Sequence, residues 1–299
     1  MGLPDFREIT GILAIDKPSG ISSYDVIRKI KSTVRTKKIG HGGTLDVSAS
    51  GVLPILFGEA TKAFDFLLKG EKIYIATVRF GAFTETDDAE GEIIRTFDFE
   101  FDTAKLKDIL PAFTGEIEQL PPKYSALRIN GKRSYELARN NEEVILKPRI
   151  VCVKSITLDN TDIDNKTATL TITCSSGTYI RSIARDLGTK LGWGGYLEAL
   201  RRTKSAGIGI DSALDFDSIS PDTIKKSIIG LNESLSELPS LELSVDEEHI
   251  YNGKPLTDKV FDTAPLHNGE YRILKSGKLL AIISKDKNRY KYLRVFKGL

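Results

Sequence analysis

The sequence predicts an α+β protein, with a main domain of mixed helices and strands over residues 1–240 and a small, mostly β domain over 241–299. Three observations carry this reading. Helical and strand periodicities are interspersed without the regular alternation of a doubly wound fold. Between Leu235 and Leu243 the pattern changes, and short β-rich runs follow, punctuated by Gly253, Gly269 and Gly277. The 299 residues are 40% hydrophobic and 28% charged, a globular composition in a chain long enough to bury a sizeable core.

The elements follow in order. Residues 11–15 form an apolar run that reads as a strand, ended by Asp16-Lys17-Pro18. Ser22 or Ser23 caps a helix with Val26, Ile27, Ile30 and Val34 on one face. Arg28, Lys31, Arg35 and Lys38 fall on its other side or just beyond it. Residues 40–51, with four glycines, read as a loop, and Thr61 as the cap of a short helix through Phe64, Leu67 and Leu68 that stops at Gly70. Residues 73–80 alternate as a strand, with Ile73 and Ile75 on one face and Tyr74 and Ala76 on the other. A helix around Leu106, Ile109, Leu110 and Phe113 follows Asp102. Pro121-Pro122 opens an irregular basic stretch to about residue 141. Residues 150–153 and 167–174 read as strands, and 179–191 as a helix with Ile180, Ile183, Ala184, Leu187 and Leu191 inward and Gly192 after it. In the last domain 271–274 and 279–284 read as strands.

The net charge of +2 says little, but its distribution says more. Residues 28–38 hold six bases and no acid, 285–297 six bases and one acid, and 85–102 eight acids and one base. Such segregation fits a nucleic-acid face opposite an acidic edge, or simply solvated surfaces. Cys152 and Cys174 lie far apart, without CxxC spacing or nearby histidines, which argues against a disulfide framework or a zinc site. No apolar run is long enough to span a membrane, the first ten residues lack the form of a signal peptide, and Phe6 stands where myristoylation wants Ser or Thr. The expected location is the cytoplasm.

Three local features suggest chemistry. In Gly40-His41-Gly42-Gly43-Thr44-Leu45-Asp46 a carboxylate sits in backbone that a ligand can approach closely. A turn whose Asp caps an amide is the plainer alternative. Ser175-Ser176-Gly177-Thr178-Tyr179-Ile180-Arg181 places a cation in the first turn of a helix, against the helix dipole, so Arg181 calls for a carboxylate partner. Tyr74 lies in the alternating strand, where most tyrosines are core residues. No GxSxG, HExxH or GxxxxGK[ST] pattern is present, which leaves carboxylate chemistry as the default.

Together these segments resemble the TruB family of pseudouridine synthases. GILAIDKPSG at 11–20 resembles its N-terminal motif, GHGGTLDVSASGVLPI at 40–55 its catalytic loop, and PPKYSALRINGKRSYELAR at 121–139 its RNA-gripping insertion. CSSGTYIRSIARDLG at 174–188 resembles its third motif, and LRRTKSAG at 200–207 the segment that closes its catalytic domain. The last domain is similar only in size and pattern to a PUA-like RNA-binding domain. The resemblance implies a pseudouridine-synthase core over 1–240, with a mixed, largely antiparallel sheet flanked by helices and an insertion at about 121–149. It implies isomerisation of uridine to pseudouridine in the TΨC loop of tRNA, at position 55 of standard tRNA numbering. Asp46 would be the nucleophile, adding to C6 of the base or to C1′ of the ribose. Arg181 would keep Asp46 ionised and aimed, and Tyr74 would stack on the base and move a proton. His41 would fill the space left by the flipped nucleotide, and Lys17, Tyr179 and Leu200 would contact substrate. The basic tracts at 28–38, 123–149 and 201–204 would hold phosphates of a folded tRNA arm. No cofactor, metal or obligatory protein partner is implied. The family usually has Thr at Gly42, Pro at Val47, Leu at Ser48 and Lys at Ser176. These departures imply a looser loop and one missing phosphate contact. Two rivals remain: a non-catalytic RNA-binding protein that kept the fold, and a glycoside hydrolase with Glu59 as second carboxylate.

Overall fold

The computed structural model describes residues 2–125, 128–129, 132–133, 146–263 and 267–297, so most of the 121–149 insertion lies outside the described residues. In the main domain the strands are β1 (Gly11–Lys17), β2 (Ile39–His41), β3 (Ser50–Phe57), β4 (Lys72–Phe80), β5 (Ala82–Thr84), β6 (Ile93–Thr96), β7 (Gly115–Gln119), β8 (Arg128–Ile129), β9 (Lys132–Arg133), β10 (Arg149–Asp162), β11 (Thr167–Cys174), β12 (Gly195–Ser205), β13 (Ile208–Gly209) and β14 (Leu214–Asp215). A second group comprises β15 (Ser240–Glu242), β16 (Gly269–Lys275), β17 (Lys278–Asp286) and β18 (Arg289–Val295). The principal helices are α1 (Ser23–Thr33), α2 (Thr103–Ile109) and α3 (Ile180–Leu191). Among the described residues no helix is long and apolar enough to cross a membrane.

One large sheet runs β14-β1-β3-β12-β4-β11-β10-β7, with β2 beside β3 and β13 beside β12. The β1–β14 and β3–β12 pairs are parallel and the others antiparallel, a mixed, largely antiparallel sheet. The fold class is therefore α+β, with a separate β sheet at the C-terminal end. Tyr74, Ala76, Val78 and Phe80 of β4 point to the buried face, where α3 packs, while Ile75 on the other face is 39% exposed. Helix α1 covers the β1–β3 end of the sheet with Val26, Ile27 and Ile30. Its cap is a capping box in which Ser22 accepts from Asp25 N–H and the Asp25 side chain returns to Ser22. Helix α3 starts at Ile180 and stops at left-handed Gly192.

Some local readings need correction. Thr61 caps nothing: its hydroxyl donates to Gly58 O at 2.7 Å within a 3₁₀ segment, Gly58–Ala63, that precedes the Phe64–Leu67 turn. Strands β3 and β12, central to the sheet, are absent from the periodicity reading. Both faces of β3 are covered, so it has no alternation to detect. In the C-terminal sheet the aromatics fill the core: Phe296 is fully buried and Tyr290 and Tyr292 pack against the cluster around Ile273 and Ile283. Leu279, Ile282 and Phe296 also join a cluster with Ile12, Ala14, Val52 and Leu56 of the main sheet.

The close approach of β3 to β12 requires a bare α-carbon. Gly51 has φ +104, and a β-carbon there would overlap the Arg202 carbonyl and amide. Gly51→Ala should therefore lose about 2–4 kcal/mol of stability, read as a fall in the urea or thermal midpoint. A variant as stable as the parent would show that this contact does not constrain the sheet.

Candidate active site

Asp46 lies in the connection from β2 to β3, and this connection is tied down through its backbone. Gly42 N–H donates to Pro54 O at 2.6 Å. Arg202 Nη2 donates to Gly43 O at 3.1 Å. Leu45 N–H donates to Ser23 Oγ at 3.0 Å, and that hydroxyl returns to Leu45 O at 3.1 Å. Ala49 N–H donates to Asp46 O, Gly20 N–H to Val47 O, and Ser19 Oγ to Ser48 O. These bonds use main-chain atoms at Gly42, Val47 and Ser48, the positions where the sequence departs from the family. The Asp46 carboxylate is left free to project, with its side chain 43% exposed.

Arg181 meets it from the first turn of α3. Its Nη2 lies 3.1 Å from Asp46 Oδ2, and its Nη1 lies 3.2 Å from Asp88 Oδ2. Thr86 O and Tyr124 O accept from the same guanidinium at 3.2 and 3.0 Å. The Arg181 side chain is only 8% exposed. The planar fork of an arginine suits this shared arrangement, which a lysine cannot reproduce. One turn on, Arg185 Nη1 pairs with Asp87 at 2.7 Å, so the loop between β5 and β6 is fastened to α3 by two ion pairs. Gln119, buried at the end of β7, braces the start of the helix. Its Oε1 accepts from Tyr179 N–H at 2.8 Å and its Nε2 donates to Tyr179 O at 3.1 Å.

Tyr74 is buried on β4, in register with Arg202 on β12. Burial raises its phenol above the usual range, with the Arg202 charge acting in opposition, so it stays protonated at neutral pH. Asp46 adds to the rise, which places its charge within reach of the ring. Arg202 is 1% exposed and binds Val52 O through Nε at 2.8 Å. His41, on β2, has a buried Nδ1 without a hydrogen-bond partner, and burial followed by the Arg202 charge lowers its pKa. Lys17 is fully buried at the end of β1 and donates to Pro18 O, Ile21 O and Val47 O at 2.9, 2.8 and 3.4 Å. Leu200 lies on β12 opposite Ala76 and packs against two core clusters. Tyr179 is half-buried at the N-cap of α3, and the Arg149 guanidinium sits 4.7 Å from its ring centroid.

The structure thus gathers Asp46, Arg181 and Tyr74 into one region, with His41 and Lys17 around the same loop. Glu59 is elsewhere engaged, in ion pairs with Lys38 at 3.2 Å and with Lys62. Sequence reasoning missed four residues. Asp88 was hidden in an acidic run, although the demand for a carboxylate beside Arg181 pointed to one. Lys72 carried no signal, and Arg202 fell in the basic tract expected to hold phosphates; both are buried, at 7% and 1% exposure. Gln119 carried no signal at all. Among the described residues no group of three or more His, Cys, Asp or Glu side chains is placed to hold a metal ion.

The chain is similar to known proteins over most of its length. Residues 31–180 match the N-terminal domain of the TruB family of pseudouridylate synthases. The chain is 37% identical over 290 residues to a protein of Clostridium kluyveri named tRNA pseudouridine synthase B, covering 96% of this chain and 99% of that one. It is 43% identical over 253 residues to the protein of that name from Paracoccus denitrificans, covering 83% and 84%. Among solved structures, a Cbf5–Nop10–Gar1 complex has a chain that superposes with a TM-score of 0.70 at 24% identity, covering 96% of this chain and 84% of that one, a likeness of fold. On the sequence matches and the ordered motifs around Asp46 and Arg181, the chain belongs to the TruB family of pseudouridylate synthases.

Proposed function

We propose that this protein converts uridine to pseudouridine in the TΨC loop of tRNA, at position 55, as a standalone cytoplasmic enzyme. The half-open ion pair carries the reading. Arg181 is buried and held by two carboxylates and two carbonyls, while Asp46 faces solvent. A carboxylate aimed in this way is held by its neighbour and remains accessible to a reacting base.

The reaction is an isomerisation. The C1′–N1 bond of uridine breaks, the uracil turns, and C1′ bonds to C5. C5 then loses its proton and N1 ends with one. No electrons or atoms are exchanged with a second substrate. Asp46 supplies nucleophilic assistance at C6 or at C1′. The reacting atoms are stacked inside the RNA loop, so the uridine must be flipped out. Tyr74 offers a flat face for the base and a phenol that stays protonated, suited to moving a proton as the ring regains aromaticity. His41 takes the space that the flipped nucleotide leaves.

Exposed cations supply the grip on the RNA backbone. Arg28, Lys29, Lys31 and Arg35 lie on the outer side of α1 or just after it. Lys287, Arg289 and Lys291 are exposed on the turn and strand that end the C-terminal sheet. Arg202 does not belong to this set, because its guanidinium turns inward.

Two outcomes follow. Asp46→Asn should fold and bind tRNA as the parent does and form no pseudouridine in single turnover. More than a trace of product would remove Asp46 from the chemistry. Replacing Lys287, Arg289 and Lys291 together by Ala should weaken tRNA binding and reduce its salt dependence by about two to three units of log–log slope. The single-turnover rate at saturating tRNA should hold. If affinity and slope stay while that rate collapses, the sheet serves the catalytic core instead.

A further inference from the structure

Lys72 opens β4 two residues before Tyr74, so both side chains leave the strand on the same face. The residue is 7% exposed, yet its ammonium makes one hydrogen bond, to Ser176 Oγ at 3.2 Å. No carboxylate pairs with it among the described residues. An ammonium has three donors, and a buried charge is ordinarily matched. Lys17 shows what a satisfied buried lysine looks like here, with three carbonyl oxygens around its nitrogen. Arg202 likewise holds two carbonyls. Lys72 is the exception within the same cluster.

Its nitrogen also reaches a place that substrate can enter. Ser176 is exposed at the turn before α3. On the other side, Leu68 Cδ2, Arg202 Nη1 and Lys72 Nζ stand 3.3, 3.7 and 3.9 Å from the point where a β-carbon on Gly43 would lie. Gly43 has φ +92 and no side chain, so it leaves a narrow space bordered by two cations and Leu68, three residues before Asp46. Lys17, Lys72, Arg181 and Arg202 bring four cations to this region against three carboxylates, Asp46, Asp88 and, acting on Lys17, Asp25. The excess charge calls for an anion from outside.

We propose that Lys72 Nζ, together with Ser176 Oγ, seats a phosphodiester oxygen next to the flipped uridine. The inference rests on the RNA-modifying reading above. A phosphate fits better than a uracil carbonyl, because a neutral acceptor would leave the buried charge unmatched. Burial, with Arg202 nearby, holds the Lys72 amine down at about 8, and a bound anion would restore its full charge.

The test is a double-mutant cycle on an unmodified TΨC stem-loop. A neutral methylphosphonate replaces in turn each phosphate flanking the target uridine. Affinity and single-turnover rate are measured for the parent, Lys72→Met and Lys72→Gln. Glutamine keeps a donor for Ser176 and guards against a fold defect in the methionine variant. The parent should bind about tenfold more weakly when one of the two linkages is neutral. Both variants should show that loss on the natural stem-loop already, and no further loss at that linkage. Their log–log salt slope should fall by about one. They should melt no lower than the parent, since an unmatched buried charge is removed. The proposal is overturned if the parent ignores both neutral linkages. It is overturned equally if the variants lose the same additional factor as the parent, or if they only melt lower with binding and slope unchanged. Failure of the parent to make pseudouridine would count against the proposed function alone, because the binding cycle reads Lys72 without turnover.

Discussion

The site depends on keeping one guanidinium buried. Arg181 contributes a charge that would cost several kcal/mol to leave unmatched in the interior. The protein meets that cost from three directions: Asp88 and Thr86 from the loop between β5 and β6, Tyr124 from the chain after β7, and Asp46 from the connection before β3. Asp88 is buried and the two carbonyls are main-chain groups. The fourth acceptor, Asp46, faces solvent. Because the others already hold the guanidinium, it is fixed before RNA arrives, and Asp46 meets a cation that needs no reorganisation. The same division explains why the carboxylate can be exposed while its partner is not.

Arg202 plays the matching role for the loop. It lies between Gly51 on β3 and Tyr74 on β4, in register with both. Its guanidinium turns back to bind Val52 O and Gly43 O, joining the strand that leaves the loop to the glycine that enters it. The bare α-carbon of Gly51 is what lets β12 come close enough for this. Asp46 is therefore positioned by main-chain bonds on one side and by a buried cation on the other. Helix α1 adds a third anchor through Ser23 and Leu45.

Much of this was legible in the sequence, and the reasons are physical. Amphipathic elements such as α1, α3 and β4 announce themselves because one face meets water and the other does not. The glycine-rich stretch around Asp46 and the cation in the first turn of α3 stand out because each breaks a local rule. Strands β3 and β12 do not, since β3 is covered on both faces and β12 carries charged residues that look solvated. Within the basic tract at 201–204, Arg202 departs from the expectation. As a string the tract resembles a phosphate-binding run. In the fold Arg202 turns inward and Arg201 pairs with Asp16 at 2.7 Å. Whether a cation faces RNA or supports the loop is decided by register across the sheet, which a single strand does not encode. Gln119 is silent for a similar reason, since its two bonds go to the backbone of a helix sixty residues away.

The C-terminal sheet raises the question of how a small domain can serve a distant reaction. Its composition suggests an appendage on a linker, but its packing does not. Leu279, Ile282 and Phe296 share a cluster with Ile12, Val52 and Leu56, residues of β1 and β3. Burying a side chain the size of Phe296 is worth about 1.5–3 kcal/mol, and several act together. Polar ties reinforce the seam: Arg294 Nη2 lies 3.1 Å from Asp65, and Lys69 lies 2.5 Å from Glu270. The strands that anchor this cluster are the same ones that frame the Asp46 loop. On the function proposed above, a phosphate held by the outer lysines would sit at a fixed distance from Asp46. With both ends of that span set by packing, an RNA arm bound as proposed would have to reach the cationic sheet and the Asp46 loop at once.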